Sequence, residues 1–162
     1  MKAVILAGGL GTRLSEETVL RPKPMVEIGG KPILWHIMKN FAHYGFTEFV
    51  LCLGYKSEFI KNYFLNYENM SNDFTIELGS GNIDVHNKHD EQGWRVTLVD
   101  TGQKTMTGAR LKRVEDQIDG DEFILTYGDG VTDLDINALV KSHRSGGKIG
   151  IVTGVSPRSH YG

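Results

Sequence analysis

The chain of 162 residues has one cysteine, four prolines, a formal net charge of −2 and no long apolar run. Each shortage excludes something. A single thiol, Cys52, cannot close an internal disulfide. A slightly acidic balance excludes a general nucleic-acid or membrane-surface binder, because both partners call for a concentrated excess of Lys and Arg. Any anion site must therefore be local. The apolar run after Met1-Lys2-Ala3 meets glycines within a few residues, too soon for a signal peptide or a membrane span, and this places the chain in the cytoplasm. With 40% hydrophobic and 23% charged residues, the composition is that of one globular domain able to bury a good core.

Along the chain, apolar runs alternate with helical spacing. "AVILA" reads as a fully buried strand, and "ILWHIMKNFAHYG" puts Ile33, Leu34, Ile37, Met38 and Phe41 on one helix face with Gly45 as its stop. "EFVLCLG" predicts a second buried strand. "SEFIKNYFLNY" predicts a helix with Ser57 as N-cap and Phe59, Ile60, Tyr63 and Phe64 inward. The polar stretch from about Met70 to Glu91 holds "FTIEL" and "IDVHN", which read as edge strands or a hairpin. Beyond it come a strand at "WRVTLVDTG", a helix at "GARLKRVEDQI", a buried strand at "EFILTYGDG", a helix at "DINALVKSHRSGG" and a strand at "KIGIVTGV". This alternation predicts an α/β fold with an open, mostly parallel sheet and helices on both faces. The last residues, "SPRSHYG", read as the start of another element, so the chain stops inside a fold.

The stretch "VILAGGLGTRL" puts glycines at the carboxyl end of the first strand. The dinucleotide fingerprint fails there, since counting from Gly9 gives Gly11 and then Leu14 where a third glycine belongs. The Walker pattern fails too, because Arg13 and Leu14 stand where its second glycine is needed. What remains is a glycine turn whose backbone N–H groups can approach a phosphate or base, followed by the fixed charge of Arg13. On spacing alone, an ordinary turn fits equally well. "RPKPMVEIGGKP" tips the balance, because Pro22 and Pro24 flank Lys23 and predict an ammonium carried on a stiff, extended rod.

"LAGGLGTRL" followed by "RPKPM" resembles the signature of the sugar-1-phosphate nucleotidyltransferases, with support from "EIGGKPILWHIM", "VTLVDTG", "MTGARLKRV" and "TYGDGVTDLDI". The likeness covers essentially the whole chain and is strongest to members that transfer a cytidylyl group to glucose 1-phosphate. It implies a Rossmann-like fold of the nucleotide-diphospho-sugar transferase type. Residues 1–162 would be the nucleotide-binding part of a single domain, with the sugar-binding remainder and a second metal-binding aspartate largely beyond it. The implied reaction joins CTP and glucose 1-phosphate to give CDP-glucose and pyrophosphate, with Mg²⁺ and in a homo-oligomer. UTP or TTP in place of CTP, a non-catalytic nucleotide-binding or regulatory relative, and a fragment that only binds stay open as alternatives.

By the same resemblance, Leu6, Ala7, Gly8 and Gly9 hold the nucleoside, Gly11, Thr12 and Arg13 meet the triphosphate and departing pyrophosphate, and Leu10 between them belongs to the nucleotide-binding set. Lys23 lies near the α-phosphate, and Arg13, Lys23 and Asp129 form the catalytic set. Gln103 and Gly108 share the spacing with which related thymidylyltransferases read a pyrimidine, though Lys104 and Arg110 give them a different context. Lys104, Ala109 and Gly128 complete the nucleotide-binding set. The metal ligand is Asp129, whose carboxylate stands between two glycines at a strand end, and Mg²⁺ favours a few hard oxygens plus substrate phosphates. Asp135 reads as the N-cap of the next helix and Asp133 as a weaker ligand candidate. His36 and His43 read as one helix face, and His86 and His89 as solvated surface. His143 and His160 show no partner. Cys52 reads as core, and Trp35 and Trp94 as core or oligomer packing.

Overall fold

A computed structural model of the chain describes residues 1–9 and 20–155, so the roles assigned to Leu10, Gly11, Thr12 and Arg13 lie outside the described residues, as does His160. Two compact units divide it, Met1–Thr132 and Asp133–Gly162.

The first unit is organised by four parallel strands, β1 (Lys2–Leu6), β4 (Glu48–Leu53), β7 (Arg95–Asp100) and β8 (Phe123–Tyr127), in the order β7-β4-β1-β8. Two short antiparallel pairs accompany them: β2 (Glu27–Ile28) with β3 (Lys31–Pro32), and β5 (Phe74–Ile76) with β6 (Ile83–Val85). The second pair resolves the polar middle as a hairpin. Strands β1 and β4 each have a neighbour on both sides, which is why their sequences are unbroken apolar runs. Residues Ala3–Ala7 and Phe49–Leu53 are accordingly almost wholly buried.

Side chains alternate across the sheet, and Val4, Leu6, Val50 and Cys52 cluster with Val99, Leu111, Val114 and Ile118. That face is covered by α4 (Thr107–Arg113) and the 3₁₀ turn Glu115–Gln117. Ala3, Ile5, Phe49, Leu51 and Leu53 fall on the other face. Right-handed crossovers direct α1 (Ile33–His43) and α2 (Ser57–Leu65) to it. Helix α1 buries Leu34, Ile37, Met38 and Phe41 and ends at Gly45, whose φ of +87° suits glycine. Helix α3 (Tyr67–Ser71) leads into the hairpin.

Four expectations need correction. Ser57 is the first helical residue rather than the cap; the cap position belongs to Lys56 at φ +50°, because the chain turns tightly after Leu53, with Ser57 N–H donating to Gly54 O. Phe59 is exposed rather than inward, lying beneath the Lys56 ammonium, 5.6 Å from its ring centre. Strand β8 is not fully buried: Phe123, Leu125 and Tyr127 are 38%, 43% and 61% exposed, since among the described residues β8 pairs only with β1. "KIGIVTGV" forms no strand through Val155, because its own unit offers no strand among the described residues to take its backbone hydrogen bonds.

In the second unit α5 (Ile136–Gly146) starts as expected, with Asp135 Oδ1 accepting the Ala138 N–H at 2.9 Å.

Candidate active site

The chain runs outward from β1 to β4 and β7, then returns to place β8 on the opposite side of β1. In open parallel sheets such a reversal leaves a crevice outside the carboxyl ends of the strands. A cleft of about 190 Å³ lies there, lined by Leu6, Ala7, Gly8 and Gly9 after β1, Lys23 and Pro24, Tyr127 and Asp129 after β8, and Thr105, Met106, Thr107 and Arg110 at the start of α4.

The glycine turn is built on the sheet itself. Ala7 N–H donates to Cys52 O (3.0 Å) and Gly128 N–H to Leu6 O (3.0 Å), so the strand ends on both sides hold the turn in place. Lys23 opens a 3₁₀ turn, Lys23–Met25, rather than an extended rod. Met25 N–H donates to Pro22 O and Val26 N–H to Lys23 O, and burial of Pro22, Pro24 and Met25 fixes the turn, which outweighs the extended preference of a residue before proline. The lysine stem projects into the cleft, where its Nζ donates to Asp129 Oδ2 at 2.7 Å, both side chains being partly exposed.

Sequence reasoning missed the residue that organises this end of the sheet. Arg110 is 5% exposed, and its guanidinium donates to Gly8 O (2.9 Å), Leu53 O (2.9 Å), Thr101 Oγ1 (2.7 Å) and Gln103 O (3.3 Å), tying together the segments that follow β1, β4 and β7. Burial lowers its pKa from the ordinary value, yet a guanidinium keeps its proton at neutral pH. Close approach explains two glycines: a Cβ on Gly8 would stand 2.2 Å from Arg110 Nη1, and one on Gly54 2.6 Å from the same atom. The available signal was the four-residue step from Arg110 to Val114, which puts the arginine on the helix face that packs.

The structure therefore brings Leu6, Ala7, Gly8, Gly9, Lys23 and Asp129 to one cleft, with Gly128 buried beside it. Gln103 and Lys104 stand in an exposed turn, and Gly108 and Ala109 on the exposed side of α4; none of the four is among the lining residues. Among the described residues no group of three His, Cys, Asp or Glu could hold a metal by itself. The exposed Asp129 carboxylate fits a hard cation that takes its other oxygens from phosphates and water. Cys52 is buried as expected, and burial pushes its thiol up to about 11.

A second polar cluster lies away from the cleft. Glu91, 8% exposed, accepts from Lys39 Nζ at 2.8 Å and sits 3.2 Å from His89 Nδ1, while His89 Nε2 is 3.0 Å from Glu68 Oε1. His89 is therefore not solvated surface: partners distant in sequence enclose it, whereas His86 is exposed beside Thr75 Oγ1. Burial pushes the Glu91 carboxyl up, but the hydrogen bond and charge of Lys39 outweigh it and leave the pKa below the ordinary 4.5. Trp35 donates to Tyr67 OH and Trp94 packs on Phe49, both in structural roles.

Comparison with known proteins places this geometry. The Nucleotidyl transferase family model matches residues 2–162. The chain is 55% identical over 163 aligned positions to glucose-1-phosphate cytidylyltransferase of Salmonella typhimurium, and 45% identical over 162 to the probable glucose-1-phosphate cytidylyltransferase of Bacillus subtilis. All of this chain takes part in both alignments, and it spans 63% of the length of each relative. Among solved structures, HddC from Yersinia pseudotuberculosis in complex with GMP-PN superposes with a TM-score of 0.65 at 28% identity, over 87% of this chain and 53% of that one. With the family match running nearly end to end over a parallel sheet whose switch point carries the glycine turn, the lysine and the aspartate, the chain belongs to the nucleotidyl transferase family.

Proposed function

We propose that this protein transfers a cytidylyl group from CTP to glucose 1-phosphate, releasing pyrophosphate and forming CDP-glucose. The observation that carries the reading is the meeting of Lys23 and Asp129, 106 residues apart in the chain, in the cleft beside the Gly8 turn. The 55% identity to a glucose-1-phosphate cytidylyltransferase supports the choice of base and sugar.

In this reading an oxygen of the sugar phosphate attacks the α-phosphorus of CTP. One P–O bond forms as the bond from the α-phosphorus to the bridging oxygen of the β-phosphate breaks, and the electron pair leaves with pyrophosphate. The nucleophile is already an anion at neutral pH, so no general base is required. What the protein must supply is alignment and positive charge. Leu6, Ala7, Gly8 and Gly9 receive the nucleoside on a turn held by β4 and β8. Lys23 meets the phosphates near the reacting centre, and Arg13 is assigned to the departing pyrophosphate by likeness alone. Arg110 adds a fixed positive charge under the turn. Asp129 would hold the divalent metal, Mg²⁺ in this reading, which when bound neutralises and orients the triphosphate. The assignments of Gln103, Lys104, Gly108, Ala109 and Gly128 to the nucleotide, a homo-oligomeric state and a cytoplasmic location belong to the same proposal. Among the described residues no helix is long and apolar enough to cross a membrane.

The test is pyrophosphate release by the full-length protein with glucose 1-phosphate and each of CTP, UTP, TTP, ATP and GTP. The fastest release is expected with CTP, and preference for a purine nucleotide would overturn the assignment.

A further inference from the structure

The proposed phosphate-binding lysine and the proposed metal-binding aspartate are bonded to each other. Lys23 Nζ stands 2.7 Å from Asp129 Oδ2, so each group takes up part of the other's binding capacity and offsets its charge. A cation approaching Asp129 meets a carboxylate with one oxygen already held by an ammonium that repels it, and two-oxygen binding requires that ammonium to leave. A triphosphate approaching Lys23 meets a carboxylate that already neutralises the lysine and repels the phosphates.

We infer that Lys23 and a divalent cation compete for the Asp129 carboxylate, so that nucleotide triphosphate, by drawing Lys23 onto its phosphates, raises the affinity of Asp129 for the cation. The inference rests on the nucleotide reading of the cleft given above. The exchange requires little of the fold. The backbone of Lys23 is fixed by the 3₁₀ turn and its buried prolines, whereas the lysine stem and the aspartate are partly exposed and can turn by rotamer change alone. Each ligand removes the obstacle to the other, and the coupling is reciprocal by linkage. A protein arranged in this way holds little free metal without nucleotide and little nucleotide without metal, and it takes both together.

The experiment measures Mn²⁺ binding by electron paramagnetic resonance on nucleotide-free, full-length protein, with folding followed by circular dichroism. Lys23→Met and Lys23→Gln are each expected to bind Mn²⁺ about tenfold more tightly than the parent, the scale of a partly exposed ion pair plus the repulsion of a dication. Lys23→Arg should match the parent, and the gain should vanish when Asp129→Asn is added to Lys23→Met. Unchanged affinity in both neutral Lys23 variants, or a gain that survives Asp129→Asn, would overturn the competition.

A second arm measures CTP binding in EDTA. Asp129→Asn should tighten metal-free CTP binding several-fold more in the parent than in Lys23→Met, because both lose a repelling carboxylate but only in the parent is a lysine also released. An equal gain in both backgrounds would reduce the effect to removal of a repelling carboxylate and overturn the inference. If no protein of the set binds CTP with or without Mg²⁺, the nucleotide reading fails while the Mn²⁺ arm still decides the competition. If the parent binds CTP with Mg²⁺ and the Mn²⁺ affinities are all alike, the competition fails and the nucleotide reading stands.

Discussion

Two buried charges in this molecule are satisfied in opposite ways. Glu91 is met by a cation, Lys39, whose ammonium offsets its charge directly, with His89 beside its other oxygen. Arg110 is met by three carbonyl oxygens and a hydroxyl, all neutral. Its hydrogen-bonding capacity is used while its charge is not cancelled by those partners. The first arrangement pins α1 to the segment that follows the hairpin. The second pins three strand ends and also leaves a positive field under the glycine turn, where the proposed nucleotide would bind. A buried ion pair is thus a fastener here, and a buried cation met only by neutral oxygens is a fastener that also lines the candidate cleft.

The comparison breaks most sharply at Arg110. Arg110→Met removes the guanidinium's hydrogen bonds to Gly8 O, Leu53 O and Thr101 Oγ1, while Gly8 O keeps the Tyr55 N–H and Leu53 O keeps the Thr101 N–H and Oγ1–H, so the expected cost is about 1.5–3 kcal/mol of stability. Nucleotide binding should fall with it, as urea unfolding and CTP titration would show. Arg110→Lys should recover little of either, since an ammonium cannot reach the same acceptors with a planar fork. Gly8→Ala probes the contact from the other side, because its Cβ would sit 2.2 Å from Arg110 Nη1. A loss of about 1–3 kcal/mol is expected, with weaker CTP binding. Parent-like values in both assays would mean that the turn and the guanidinium are not tightly packed.

The smallest effect belongs to Glu91→Gln, which keeps shape and removes charge. A loss of about 1 kcal/mol at neutral pH is expected, with CTP affinity unchanged, because Lys39 is partly exposed and can be hydrated. The sign with pH follows from the lowered carboxyl pKa. The parent holds this stability above the ordinary carboxyl value of 4.5 and loses it as pH falls from there through the lower folded value. Glu91→Gln lacks that acid-side loss, so urea midpoints of the two proteins should converge below the ordinary value. Midpoints that stay equally far apart would remove Glu91 from the stability account.

The same contrast explains what was legible in the sequence. Strands β1 and β4 could be read because an interior parallel strand needs an unbroken apolar run, and Gly45 and Asp135 because helix ends have local chemistry. Lys23 and Asp129 stood out as charges held among prolines and glycines. Arg110 did not, because in "ARLKR" it looks like its solvated neighbours Lys112 and Arg113. His89 sits in an equally polar stretch, "DVHNKHDE", yet is enclosed by Glu68 and the Tyr67 ring. Burial of a polar side chain is decided by partners remote in the chain, and a local reading sees only composition. Strand β8 failed for a related reason: its run is as apolar as that of β4, but an apolar run does not say how many neighbours the strand will have.

Strand β8 also sets the order in which the cleft can come into being. It pairs with β1 across a separation of 121 residues, Lys2 opposite Phe123, whereas β1 and β4 meet across 46, Ala3 opposite Phe49. Closing the longer loop costs more chain entropy and comes after the shorter pairings have little left to gain by waiting. A nascent chain that has emerged through Asp100 can align β1, β4 and β7 and display the glycine turn, yet it still lacks Arg110 beneath the turn and Asp129 across from Lys23. The part of the cleft made first holds the glycine turn and Lys23, Arg110 follows on α4, and Asp129 arrives only after β8, so partly made protein presents the lysine without the carboxylate that pairs with it.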